Sequence, residues 1–204
     1  MLHPAAAAAL LRMRAAALRA GLDLASASSF RDFDVQRRIW NEKWTGRRAL
    51  FDRAGRALEA ARLRPAARVR AILAWSAPPG ASRHHWGTDL DVYDRAALPA
   101  GTTPKLVPAE YASGGPFGRL TAWLDAHMGR FGFYRPYATD RGGVQPELWH
   151  LSHYPTAREA SRRLRLATLQ AALEGAELEG KGALLAALPS IYVRYVRSVD
   201  PPPG

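Results

Sequence analysis

The chain has 204 residues, 48% of them hydrophobic and 23% charged, which is enough apolar material for a buried core and excludes wholesale disorder. It contains no cysteine, so disulfides, thiolate catalysis and Cys-containing zinc sites are excluded, and no apolar run approaches the roughly 18 residues that span a bilayer. The net charge of +11 is uneven, with +9 carried by residues 1–70 and +2 by residues 71–204.

A basic first third of this kind attracts nucleic acid, anionic lipid or an acidic polymer such as bacterial cell wall. The plainer account is a GC-rich genome and solvated helix faces, since 26 of the 29 basic residues are arginine. No specific nucleic-acid partner is assigned. At the N-terminus the apolar run Pro4–Leu11 precedes its arginines, the reverse of an export signal. By sequence the chain reads as cytoplasmic.

In chain order, Leu10, Leu11, Met13, Ala17 and Leu18 predict the apolar side of an amphipathic helix stopped near Gly21. From Asp34 to about Leu63 the pattern is helical, with a break at Thr45-Gly46. Pro65 then opens a short helix running to Trp75. After the loop Ala77–Gly80 the period changes to two. Thr88, Leu90 and Val92 alternate with Asp89 and Asp91 as in a strand, and Asp94 closes it as a turn residue. A helix over Phe117–Met128, short strands at Phe131–Tyr134 and Glu147–His150, and a helical stretch from Pro155 to about Leu188 complete the reading. Helices flanking a centre of short strands predict an α+β fold, with a small antiparallel sheet in a single domain over residues 1–204. The motif-bearing core of that domain lies at about 26–155, between helical extensions.

The densest cluster of ligand-type residues is Ser82-Arg83-His84-His85-Trp86-Gly87-Thr88-Asp89-Leu90-Asp91, followed downstream by Glu147-Leu148-Trp149-His150. His84, Asp91 and His150 form a three-donor set of nitrogen and oxygen, the number that leaves a catalytic zinc one open position. Such a centre also needs a carboxylate that moves protons without binding the metal, for which Glu147 is the candidate, and a permanently charged donor for an oxyanion, which favours arginine. Spacing alone leaves a metal site and ordinary hydrogen-bonded histidines equally open.

Ser82-x-His84-x-x-Gly87-x-Asp89-x-Asp91 followed by Glu147-x-Trp149-His150 resembles the VanY/VanX-type zinc D-alanyl-D-alanine peptidases, which group with lysostaphin-type peptidases and the hedgehog domain. The upstream Ser28-Ser29-Phe30-Arg31-Asp32, with Gln36 five residues after the arginine, matches a third motif of that family in the right order. The resemblance implies a Zn2+ cofactor held by His84, Asp91 and His150. It implies Glu147 as catalytic base and Arg31 on the oxyanion or the substrate's carbonyl and carboxylate. Ser82 and Gln36 would bind the C-terminal carboxylate or nearby peptide groups. Trp149 is assigned to the substrate wall, although tryptophan more often packs than contacts substrate.

The implied substrate is a peptidoglycan stem peptide ending in D-Ala-D-Ala, cut by carboxypeptidase action; dipeptidase and endopeptidase versions share the same site. That substrate class points to the periplasm or cell surface, against the N-terminal reading. Three positions depart from the family pattern. Asp89 replaces a small or apolar residue and either adds charge near the metal or faces solvent, Phe30 replaces a tyrosine, and His153 stands where a tyrosine is common. The alternative from another class is a non-catalytic zinc-containing module that binds cell-wall or other anionic polymer.

Overall fold

The computed structural model describes residues 1–202. Helix α1 (Pro4–Arg19) is followed by strand β1 (Leu24–Ser28) and α2 (Phe33–Thr45). A small hairpin, β2 (Leu50–Phe51) and β3 (Ala57–Leu58), leads to α3 (Pro65–Leu73). A 3-10 turn (Arg83–Trp86) then feeds strand β4 (Asp89–Asp94). Helices α4 (Pro108–Tyr111) and α5 (Gly118–His127) precede β5 (Phe133–Tyr134) and β6 (His150–His153). Helices α6 (Tyr154–Arg163), α7 (Leu166–Glu174), α8 (Lys181–Ala186) and α9 (Leu188–Ile191) end the fold, with a final π turn at Tyr192–Arg197.

Four strands form one antiparallel sheet in the order β1-β4-β6-β5. The α+β fold expected from sequence is the one found. Strand β4 is central and buried on both faces. Leu90 and Val92 point into an apolar layer with Leu24, Leu120, Leu124, Phe117 and Leu151, while Asp89 and Asp91 share the other face. A second apolar cluster sits under α2, α3 and the C-terminal helices, around Trp40, Ile72, Leu73, Leu173 and Leu184. No helix of the described residues is long and apolar enough to cross a membrane.

Three expectations are corrected. In α1 the inward face is built from Ala6, Ala9, Met13 and Ala17, whereas Leu11 and Leu18 are exposed. Small residues let this helix approach the sheet closely, so the leucines were the wrong guide. Beyond Gly46, which caps α2 in the left-handed region at φ 79°, the chain turns into the β2–β3 hairpin and resumes only a 3-10 turn at Ala60–Arg62. The Asp52 carboxylate accepts from the N–H groups of Ala54 and Arg56 and closes that hairpin. The expected strand at Glu147–His150 begins only at His150, because a turn precedes it. Asp94 behaves as expected: its carboxylate accepts from the Asp23 and Ala96 N–H groups at the strand end.

Candidate active site

The site lies on the polar face of β4 and β6. Gly87 makes the entry into β4 possible: it adopts φ 66°, and a Cβ there would sit 3.1 Å from the His3 backbone nitrogen. The 3-10 turn before it carries His84, and two backbone-directed bonds tie this turn to the segment after β1. The His84 ring Nδ1 meets the Ser29 carbonyl at 2.8 Å, and the Arg31 N–H donates to the His84 carbonyl at 3.3 Å. Donation from Nδ1 leaves Nε2 with a free lone pair, 3.4 Å from Asp91 Oδ2.

His150 is oriented in the mirror sense. Its Nε2 faces Asp89 Oδ2 at 3.0 Å, which leaves Nδ1 pointing at Asp91 Oδ1, 3.1 Å away. The pairing of Asp91 with His150 across β4 and β6 sets this approach. A single ligand atom from each of His84, Asp91 and His150 lies within 4.8 Å of the others, and all three side chains are buried. Sequence reasoning had singled out these three, and the fold brings them together.

The donor set fits a divalent cation. Asp91 Oδ1 is a buried oxygen with no hydrogen-bond partner, an arrangement that a bound ion would satisfy. Burial drives the His84 imidazole below its ordinary pKa, favouring the neutral, metal-ligating form despite Asp91 beside it. Burial opposes a charge on His150 as well, but Asp89 and Asp91 outweigh it and raise the ring to about 9. Burial likewise opposes ionisation of Asp91, yet His84 and His150 hold its carboxyl well below the usual range. Positive charge is therefore favoured between these carboxylates, and a metal can take the place of the Nδ1 proton. Nitrogen and oxygen donors suit zinc.

Glu147 enters from the turn ahead of β6. The His150 N–H donates to the Glu147 carbonyl at 3.2 Å, and this tight turn sets the glutamate carboxylate 3.6 Å from His150 Nδ1. Burial pushes the Glu147 carboxyl up to about 7; His150 works against that shift and Asp91 adds to it. Arg31 closes the opposite side. Its guanidinium donates to Ser28 Oγ at 3.2 Å and Gln36 Oε1 at 3.0 Å, and lies 3.5 Å from Asp91 Oδ2.

Two of the expected substrate contacts are also engaged within the protein. Gln36 is buried, lines the cleft and engages both ends of its amide, accepting from Arg31 and donating to the Ala77 carbonyl at 2.8 Å, so it holds the arginine in place. Trp149 packs its indole on Tyr111 at 5.3 Å within the apolar layer and also lines the cleft. Ser82 is buried and lines the cleft, and its hydroxyl makes no hydrogen bond among the described residues.

Asp89 does not face solvent. Residues i and i+2 of a strand share one face, so it stands beside Asp91, fully buried. It accepts from Arg83 Nε at 2.6 Å, Thr88 Oγ1 at 2.7 Å and Ser152 Oγ at 3.0 Å, besides its bond to His150. The period-two pattern carried this signal. His85 was not singled out: its ring bridges the Arg31 carbonyl at 2.6 Å and the Gly80 N–H at 3.0 Å, fixing the segment that carries Arg31. Tyr137 was also missed, with its ring edge-on to His150 at 5.0 Å. Around these groups opens a cleft of about 970 Å³, walled by Ile39, Phe51, Trp75, Val144 and Pro146.

An uncharacterized protein of Haemophilus influenzae is 36% identical over 118 residues, 57% of this chain and 90% of that protein. A second uncharacterized Haemophilus influenzae protein is 45% identical over 65 residues, 32% of this chain and 44% of its own length. Among solved structures, VanYB in complex with D-alanine-D-alanine has a TM-score of 0.52 at 24% identity, over 86% of this chain and 84% of that one. The Zn(II) complex of a mutant of the vancomycin-resistance D,D-pentapeptidase VanY has a TM-score of 0.53 at 24% identity, over 82% and 83%. These two share the fold. The family model for VanY, D-alanyl-D-alanine carboxypeptidase, matches residues 1–156, and the chain belongs to that family.

Proposed function

We propose that the protein is a zinc-dependent D,D-carboxypeptidase that releases the terminal D-alanine of peptidoglycan stem peptides ending in D-Ala-D-Ala. The observation that carries this reading is the convergence of His84 Nε2, an Asp91 oxygen and His150 Nδ1 with Glu147 at their side. Those three atoms would hold the ion. Zinc supplies Lewis acidity at such a centre, acidifying water and polarising a carbonyl.

The chain's own groups do the rest. Glu147 takes a proton from the attacking water and delivers it to the amine that leaves when the peptide C–N bond breaks. A carboxyl with a pKa of about 7 suits both halves of that transfer near neutral pH. Arg31, aimed by Gln36, Ser28 and the His85 bridge, stabilises negative charge developing on the carbonyl oxygen. The unengaged Ser82 hydroxyl donates to the substrate's terminal carboxylate. The test is release of D-alanine from a synthetic stem pentapeptide by the zinc-loaded protein, compared with Glu147→Ala. Release by the wild type and its loss in a zinc-loaded variant are expected. Equal rates in the two, or no release by a wild type with zinc bound, would overturn the reading.

A further inference from the structure

Six cationic side chains line the cleft, Arg31, Lys43, Arg48, Arg53, Arg83 and Lys105, against two carboxylates, Asp91 and Glu147. Four of the cations have carboxylate partners: Arg31 meets Asp91, Arg83 meets Asp89, Arg48 meets Glu42 and Arg53 meets Asp140. Lys105 is exposed on the rim. Lys43 differs from all of these. It is half-buried, its ammonium donates to Ser76 Oγ at 3.1 Å, and it forms no ion pair among the described residues.

Helix α2 explains its position. Gln36, Ile39 and Lys43 follow the spacing of one helix face, and all three line the cleft. Seven residues at 1.5 Å each set the Lys43 backbone about 10 Å along the axis from that of Gln36, and the two side chains bond adjacent residues, Ser76 and Ala77. Gln36 in turn holds Arg31, at the reacting end. An extended peptide covers about 10 Å in three residues. The apolar side chains of Ile39, Phe51 and Trp75 line the same cleft, and the Trp75 indole is fixed by donation to the Asp52 carbonyl at 2.9 Å.

We propose that Lys43 anchors a second carboxylate of the substrate, so that the cleft selects acidic peptides with an anionic side chain about three residues before the scissile bond. This deepens the carboxypeptidase reading and rests on it. The electrostatics agree: burial pulls the Lys43 ammonium down to about 8, Glu147 opposes that shift, and Arg48 and Arg31 add repulsion to it. A cation short of both water and a counter-charge gains from an incoming carboxylate.

The experiment uses two peptides ending in D-Ala-D-Ala that differ only by glutamate or glutamine three residues before the scissile bond. Turnover is measured with zinc-loaded wild type, Lys43→Met, Lys43→Arg and Lys43→Glu. Binding is measured by calorimetry on the Glu147→Ala background. Wild type is expected to favour the glutamate peptide about ten-fold, mainly through KM, as a partly desolvated charged hydrogen bond would give. Lys43→Met should bring that ratio close to one, Lys43→Arg should retain most of it, and Lys43→Glu should reverse it. Hydrolysis of both peptides with equal efficiency by the wild type, or an unchanged ratio in Lys43→Met, overturns the anchor and leaves the peptidase reading intact. Failure of zinc-loaded wild type to cut either peptide, with no binding to Glu147→Ala, removes both.

Discussion

Asp89 and His150 meet at 3.0 Å across the β4–β6 pair, carboxylate to Nε2, with the aspartate also gripping the buried Arg83 at 2.6 Å. A carboxylate on the distal nitrogen fixes the tautomer of a ligating histidine and strengthens its lone pair. Asp89→Asn is therefore expected to weaken zinc binding by about 10- to 100-fold, measured by competition with a chromophoric chelator. The change also strands the Arg83 charge, at a stability cost of about 3 kcal/mol in urea titration. An unaltered zinc affinity would show that Asp89 serves Arg83 alone.

Glu147 ties activity to pH. Burial raises its pKa, so the proton-accepting form is lost as pH falls and kcat/KM should decline on the acid side of its profile. Glu147→Gln should retain zinc and lose about 10²- to 10⁴-fold in kcat.

The same shift has a stability side. Between the ordinary value of 4.5 and about 7, the folded protein binds more protons at Glu147 than the unfolded chain does, so this residue makes stability fall as pH rises through that window. Metal-free Glu147→Gln should therefore gain stability over wild type at pH 8, on the order of 3 kcal/mol or less, and gain nothing at pH 4. Thermal melts at the two pH values decide it.

Arg31 is held as a fork, with Nε on Ser28 and Nη1 on Gln36. Lysine keeps the charge and loses the fork, so Arg31→Lys should lower kcat/KM by about 100-fold with zinc affinity little changed. Recovery of wild-type kinetics in that variant would reduce the role of Arg31 to bulk charge.

Leu90 is fully buried on the apolar face of β4. Leu90→Ala should cost about 3 kcal/mol in urea unfolding through the cavity it leaves. A loss below about 1 kcal/mol would mean that neighbouring Leu120 and Leu151 close the gap.

The site was more legible in the sequence than the fold around it. His84, Asp91, Glu147 and His150 stand in short local motifs whose spacing a turn or a strand enforces: Gly87 allows the entry into β4, and the three-residue step from Glu147 to His150 makes the tight turn. Asp89 is readable by the same period of two, which decides between its two expected settings in favour of the one beside Asp91. The β2–β3 hairpin was missed because its strands are two residues each, too short to establish a period against a helical background. The C-terminal stretch carries helix formers throughout, yet breaks into four helices at Leu164, near Gly175–Gly180 and before Pro189. Lys43 had no motif to mark it; only the packing of α2 against the cleft gives it meaning.

The six residues of β4 serve two masters by parity. Even-numbered Leu90 and Val92 fasten the sheet to its helices, and odd-numbered Asp89 and Asp91 furnish the chemistry. A slip of one place against β1 or β6 would drive both acids into hydrocarbon and turn the aliphatic pair toward the cleft. Correct alignment of a single ribbon thus decides whether the molecule has a reactive centre at all, and any ion bridging Asp91 to His150 would lock that alignment in place.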